Sequence, residues 1–153
     1  MKVRRQARIV ALQTLFEVDS VHHLPERVLG QRLEDIGLPE PGQAFAQSLV
    51  SGVLGHQQRL DPLIEEYAPE WPLDQMAFID RNILRIALFE LLVARTAPPK
   101  VVINEAVELA KLFGSDSCHR FVNGVLGTLL ERGVELPGSQ LSVEPVDEMK
   151  GGS

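Results

Sequence analysis

A chain of 153 residues and 16.9 kDa, with 44% hydrophobic and 24% charged residues, is typical of a single globular domain. Its formal net charge of −6 argues against a general nucleic-acid or membrane-surface binder. One cysteine, Cys118, excludes an internal disulfide framework and a multi-cysteine zinc site. Because the sequence also lacks a signal region and any uninterrupted apolar run of about 18 residues, we expect a cytoplasmic protein without a membrane span.

The first predicted helix runs from about Val3 to Val18 and starts with a cluster of basic residues. Its apolar residues recur every three or four positions in two stripes, which predicts a helix packed on two sides. The first eight residues carry +4, so the remainder of the chain carries −10. Arg4 and Arg8 share a helix face with Arg5 beside them, at a helix end where cations are disfavoured by the dipole. We expect this turn to project outward, either toward an anionic partner or simply into solvent.

Proline and glycine divide the next part of the chain. Pro25 predicts the start of a short helix, and the proline- and glycine-rich segment 37–42 separates it from a helix over 43–55. Asp61 followed by Pro62 is the pattern of an N-cap and a first helical residue. We therefore predict a separate helix that begins there and ends before Pro69.

Segment 83–94 contains only two charged residues, Arg85 and Glu90. A helix that is apolar nearly all round belongs at the centre of a fold. Glu90 and Glu105 both lie in apolar company, and we interpret them as structural residues that pair with Arg85 or cap a neighbouring helix.

Two more helices are predicted before the pattern ends. One runs from about Lys100 to Phe113 and is stopped by Gly114, and the other is capped by Ser115 or Asp116 and runs to about Glu131. With no alternating segment of strand type, the sequence predicts an all-α fold of about seven helices.

The composition changes at the end of the chain. Nine of the 21 residues from 133 to 153 are Gly, Pro or Ser, and no apolar period continues there. We predict a helical domain over 1–132, followed by a disordered acidic tail over 133–153.

The sequence contains no recognisable catalytic or metal-binding pattern. Phosphate-binding glycine loops, HExxH and GxSxG are absent, and the four histidines are not spaced with carboxylates as metal ligands are. Cys118 is interpreted as a small, partly buried residue. We therefore predict a protein that is not an enzyme and has no cofactor and no metal site.

Four blocks of the sequence resemble the bacterial transcription antitermination factor NusB family. They occur in the family's order and spacing and cover about residues 3–131; they are Arg4-Arg5-Gln6-Ala7-Arg8 with 11–16, then 82–91, 102–114 and 121–126. The resemblance implies two packed helical bundles. It also implies binding of the boxA element of ribosomal RNA leader transcripts, together with the ribosomal protein NusE, within an RNA polymerase antitermination complex.

The resemblance also implies which residues contact the partners. The candidates for contact with single-stranded RNA are Arg4, Arg5, Arg8, Phe16, Ser117, Arg120 and Phe121. Arginines suit phosphates, whereas Phe121 either stacks on a base or fills the core. Phe16 occupies a position where the family often has tyrosine, so a hydroxyl contact is lost there. The candidates for contact with NusE are Asp80 and Arg81, because an acidic patch suits a basic ribosomal protein.

Two other classes of function stay open on the sequence. Similar helical domains precede the catalytic half of some ribosomal RNA cytosine methyltransferases, although this chain has no methyl-donor-binding half. A helical scaffold that binds only proteins is the other alternative. The resemblance is compatible with a monomer and with a homodimer, and no residue decides between them.

Overall fold

A computed structural model describes residues 2–134 of the chain. Its six α-helices are α1 (Lys2–Val21), α2 (Pro25–Ile36), α3 (Glu40–Tyr67), α4 (Phe78–Leu88), α5 (Pro99–Phe113) and α6 (Cys118–Glu131). A 3₁₀ turn over Leu73–Gln75 precedes α4, and a π-helical segment over Phe89–Ala94 continues it. Since the described residues contain no strand, the all-α prediction is confirmed, with about seven helices expected against these six.

Helix α4 lies at the centre of the fold. It packs against α1 and α3 on one side and against α5 and α6 on the other, while α2 is held by α1 and α3. All residues of α4 from Asn82 to Leu88 are buried, as the nearly uncharged segment 83–94 predicted. The helix therefore joins a bundle built with α1–α3 to one built with α5 and α6, which confirms the two packed bundles.

The junction between α3 and the end of α4 depends on a glycine. The ring of Phe89 lies directly on the backbone of α3 at Gly52, where an added Cβ would overlap the ring atoms. The His56 ring packs beside the same phenylalanine, with the two ring centroids 5.7 Å apart. Gly52 is thus needed for the close approach of these two elements.

The prediction of a helix break at Asp61-Pro62 is wrong. Helix α3 continues through Pro62, although a proline inside a helix removes a backbone hydrogen bond and costs about 3 kcal/mol. The residues around it, Leu60, Leu63 and Ile64, are buried in the core, and their packing compensates for this cost. Asp61 does not cap a helix, because its carboxylate accepts hydrogen bonds of 2.8 and 3.0 Å from Arg85.

The end of α5 agrees with the prediction, but the start of α6 does not. Gly114 ends α5, and its N–H donates to the carbonyl of Ala110 at 2.9 Å. Neither Ser115 nor Asp116 caps α6, which follows Ser117 and has no side-chain cap hydrogen bond. The predicted tail, 133–153, lies outside the described residues apart from its first two.

Candidate nucleic-acid interface

The first helix presents fewer free arginines than its sequence suggested. Arg8 is only 3% exposed, and its Nε and Nη2 each donate a hydrogen bond of 2.8 Å to the carboxylate of Glu90. Glu90 is 1% exposed and also accepts a hydrogen bond from the Thr96 hydroxyl. The expectation that Arg8 projects outward is therefore wrong, because a buried carboxylate on the central element needs a cationic partner.

Arg5 is also paired, but it stays within reach of solvent. It donates hydrogen bonds of 3.0 and 2.7 Å to Glu105, and 46% of its side chain is exposed. This hydrogen bond holds the pKa of Glu105 below its usual value, against the opposing effect of burial. Glu90 and Glu105 thus neutralise two of the N-terminal arginines, and neither pairs with Arg85 as the sequence had suggested.

Arg4 is exposed and held in place without an acidic partner among the described residues. Its Nη1 donates to the carbonyl of Thr96 at 3.1 Å, and its guanidinium lies 4.4 Å from the centre of the Phe45 ring. Both contacts leave the positive charge intact while restricting the side chain. Arg4 is therefore the arginine of this helix best prepared to bind a phosphate.

Two further cations belong to the same end of the molecule. Arg95 is exposed beside Thr96, and Lys100 lines a groove with Glu105, the partner of Arg5. We call this group the basic end; its members are Lys2, Arg4, Arg5, Arg95 and Lys100. Sequence reasoning missed the last two, because only the contact of Arg4 with Thr96, 92 residues later, brings them to the first helix.

Three of the other predicted RNA residues surround a cleft at the start of α6. This cleft, of about 590 Å³, is lined by Trp71, Gln75, Met76, Ala77, Asp80, Ser115, Ser117, Arg120 and Phe121. Three of the predicted RNA residues are thus brought together with Asp80, a predicted NusE contact. Phe121 packs against the core and also lines the cleft, so its two alternative roles are compatible.

Asp80 and Arg81 have different partners and do not pair with each other. The Cys118 thiol donates to the Asp80 carboxylate at 2.9 Å, and burial together with this carboxylate raises the pKa of Cys118 to about 12. Arg81 forms two hydrogen bonds of 2.8 Å with Asp19. Asp80 is thus a partly covered acid at the cleft wall, and Arg81 is a mostly buried structural cation.

Phe16 belongs to an aromatic surface next to this cleft. It is 37% exposed and packs edge-on against Phe78, with 6.3 Å between the ring centroids. Arg81 lies over the other aromatic ring, 4.5 Å from the centre of Phe78. The exposed rings offer an apolar contact surface at the beginning of α4.

The basic end and the cleft lie at opposite ends of α1. Fifteen residues of helix separate Arg4 from Asp19, which corresponds to roughly 22 Å, and Asp19 holds Arg81 beside the cleft. The groove that Lys100 and Glu105 line has a volume of about 520 Å³ and extends from α5 to Asn123 of α6. It is lined by Lys100, Val101, Ile103, Asn104, Glu105 and Asn123. The predicted residues therefore lie in two separate regions rather than in one compact pocket.

A basic helix end and a cleft with aromatic and cationic walls, on an all-helical fold, define a candidate nucleic-acid-binding protein. The model of the NusB family matches residues 5–131. The chain therefore belongs to the NusB family, as the four sequence blocks predicted.

Relatives in this family are transcription antitermination proteins. The NusB protein of Roseiflexus castenholzii is 52% identical over 132 residues, which cover 85% of this chain and 93% of the relative. The NusB protein of Chloroflexus aggregans is 53% identical over 131 residues, which cover 84% and 87% of the two chains. The family relationship confirms a transcription factor and not an enzyme.

Known structures show the same fold. NusB from T. maritima is 29% identical, with a TM-score of 0.79 over 92% of this chain and 97% of that one. A crystal structure of antitermination factors NusB and NusE in complex with double-stranded RNA gives a TM-score of 0.79 at 26% identity. It covers 86% of this chain and 98% of that chain.

Neither a metal site nor a membrane-spanning helix is found within the described residues. Between residues 2 and 134, no three His, Cys, Asp or Glu side chains are grouped as a metal ion would require. Within the same range, every helix is too short or too polar to cross a membrane.

Proposed function

We propose that this protein is a transcription antitermination factor that binds the boxA element of ribosomal RNA leader transcripts. It acts together with ribosomal protein NusE, in the cytoplasm and within an RNA polymerase antitermination complex, and so promotes ribosomal RNA synthesis. Membership of the NusB family supports this proposal, as does the similar structure that contains NusE and RNA. That structure holds double-stranded RNA, whereas we propose a single strand here, because an aromatic cleft stacks only unpaired bases.

The proposal depends above all on the exposed and fixed guanidinium of Arg4. It keeps its charge, and its contacts with Phe45 and Thr96 fix its position before any ligand binds. With Lys2, Arg95 and the exposed part of Arg5, it forms a cationic surface on an otherwise acidic chain. Phosphates of the RNA backbone bind such a surface with counterion release.

Arg8 contributes to the RNA site indirectly. Its ion pair with Glu90 anchors the start of α1 to the π-helical segment, next to the loop that carries Arg95. Arg8 therefore has a positioning role and does not itself touch the RNA.

The RNA strand extends from the basic end to the cleft at α6. Arg120 neutralises a phosphate there, Ser117 donates or accepts a hydrogen bond, and Phe121 offers a ring face. NusE binds near the beginning of α4, where Asp80 and the exposed ring of Phe78 lie. Phe16 was predicted to contact RNA, but it packs against Phe78, so we assign it to the NusE surface instead. Asp80 suits a basic protein. Arg81 is already paired with Asp19, so it contributes little to the contact with NusE.

The test is a titration of fluorescently labelled RNA with the full chain, followed by anisotropy. A boxA-like RNA should bind more tightly than a scrambled RNA of the same composition, and equimolar NusE should increase that difference. Affinity should fall with salt along a straight line in a double-logarithmic plot. Equal affinity for the two RNAs, with and without NusE, would exclude the proposed function.

The oligomeric state of the free protein should be measured alongside these titrations. Sedimentation velocity over a range of concentrations distinguishes a monomer from a homodimer. If a homodimer covers the RNA path, RNA at saturating concentration should shift it to a complex with one protomer.

A further inference from the structure

We propose that Trp71 forms one wall of a cleft that accepts a single unpaired RNA base, with Phe121 as the other aromatic wall. This inference rests on the RNA-binding function proposed above and adds a residue that lies outside the four sequence blocks. The occupant of the cleft is then a nucleobase and not a protein side chain.

The exposure of Trp71 is the first argument. Tryptophan is a highly buried residue on average, yet Trp71 is 54% exposed. Its backbone is held in a turn, with Pro69 and Pro72 on either side and its N–H donating to the carbonyl of Ala68 at 3.1 Å. Because proline fixes the backbone, the indole is presented to solvent at little entropic cost on binding.

The neighbours of Trp71 are the second argument. The cleft of about 590 Å³ adjoins a smaller groove of about 270 Å³, and Trp71, Arg120 and Phe121 line both of them. Two aromatic side chains and an arginine in one place are the combination that stacks bases of single strands. Gln75 and Ser117 add hydrogen-bonding groups for the edge of a base.

The charge of the cleft is the third argument, and it separates a base from a phosphate. Among the residues that line the two grooves, Arg120 is the cation, while Asp80 and Glu70 are acids. The cleft itself has one acid and one cation, and the adjoining groove adds Glu70, so a phosphate inside would meet no net positive surface. A base is neutral, and its amino groups can donate to a carboxylate, so it suits this environment better. The phosphates then remain at the rim, near Arg120.

The experiment exploits the fact that Trp71 is the sole tryptophan of the chain. The full chain, without NusE, is titrated with a boxA-like RNA that carries a fluorescein label. Anisotropy of the label reports total binding, and tryptophan emission reports the cleft. We expect emission to be quenched along the same binding curve as the anisotropy.

Variants then measure what the stacked base contributes. Trp71→Leu should raise the Kd by about 5- to 150-fold, the range of one base–aromatic stack, whereas Trp71→Phe should retain most of the affinity. Leu24→Ala is the matched control, because Leu24 is 65% exposed but lines a different groove, between α2 and α3. Circular dichroism verifies that each variant is folded.

An abasic scan identifies the nucleotide in the cleft. One abasic position should weaken binding to wild type as much as Trp71→Leu does, and it should cost the leucine variant almost nothing further. Such non-additivity is expected only if the missing base and the indole contact each other.

Four results would overturn the inference. RNA binding with unchanged emission, or wild-type affinity of Trp71→Leu, excludes a stacked base but leaves the RNA-binding function standing. Wild-type RNA affinity combined with loss of NusE binding in Trp71→Leu identifies the cleft as a protein-binding surface instead. An absence of any anisotropy change, both without NusE and after addition of equimolar NusE, rejects the proposed function itself, and the base cleft with it.

Discussion

Replacing Arg8 with methionine should destabilise the fold strongly, because it leaves Glu90 without its cation. Both side chains are almost completely buried, and two hydrogen bonds of 2.8 Å join them. Methionine keeps most of the length of the arginine but has no charge. The carboxylate then retains only the hydroxyl of Thr96 as a partner among its described contacts.

The expected loss follows from the burial of the pair. Breaking a buried ion pair from one side costs about 3–5 kcal/mol, out of a total stability of about 5–15 kcal/mol. The remaining hydrogen bond from Thr96 places the expected loss at the lower end of this range, about 3 kcal/mol. With an m-value of about 2 kcal/mol/M, the urea midpoint should fall by about 1.5 M.

Urea unfolding followed by circular dichroism measures this loss, and two variants serve as controls. Arg4→Met removes a charge from the same helix turn but from an exposed position, so its midpoint should move several-fold less. Arg8→Met combined with Glu90→Leu removes both charges and should recover most of the stability. A midpoint for Arg8→Met within error of wild type, together with a large loss of RNA affinity, would refute the structural role and restore Arg8 as an RNA contact.

The other predictions concern salt, acid and thiol chemistry. Arg4→Ala should lower the slope of log K against log salt by about 0.7, the share of one phosphate on a single strand, whereas the exposed Arg27→Ala should not. Burial raises the pKa of Asp19, but the hydrogen bonds from Arg81 and Asn82 and the charges of Arg81 and Arg85 together outweigh burial and hold this pKa below its usual value. Because the pKa of Asp19 is lower in the folded state than in the unfolded state, its pairs contribute stability above the unfolded pKa. This contribution is lost as the pH falls through the folded pKa. Below about pH 4, acid should therefore lower the free energy of unfolding of Asp19→Asn less than that of wild type. With a pKa of about 12, Cys118 should react with a thiol reagent at pH 8 only in urea, and fast labelling of the native protein would contradict its buried contact.

The helices could be predicted from apolar spacing, because most of them bury one face against the centre of the fold. The exception, Asp61-Pro62, shows the limit of local patterns. The same two residues are compatible with a helix start and with a helix interior, and the choice depends on packing. In this fold Arg85, 24 residues away, binds Asp61, and the buried leucines around the proline hold the helix together.

The candidate site was predicted in part, and its limits have the same origin. The excess of charge on the first eight residues correctly indicated a basic surface, but sequence could not tell that Arg8 and Arg5 meet Glu90 and Glu105. Those pairs join residues 82 and 100 positions apart. Glu105 itself carried a signal, since a carboxylate in an apolar stripe needs a cation.

Trp71 gave a signal that sequence reasoning did not use. A lone tryptophan between two prolines is consistent with core packing as much as with display on a turn. Only its exposure and the approach of α6 show that it faces a cleft with Arg120.

The most direct test of the central claim is the anisotropy titration of a boxA-like RNA, with and without NusE, against a scrambled RNA. Specific binding that NusE strengthens, and that declines linearly with log salt, is the expected result. Identical curves for the two RNAs in both conditions would contradict an antitermination factor that reads RNA along the basic end and the cleft.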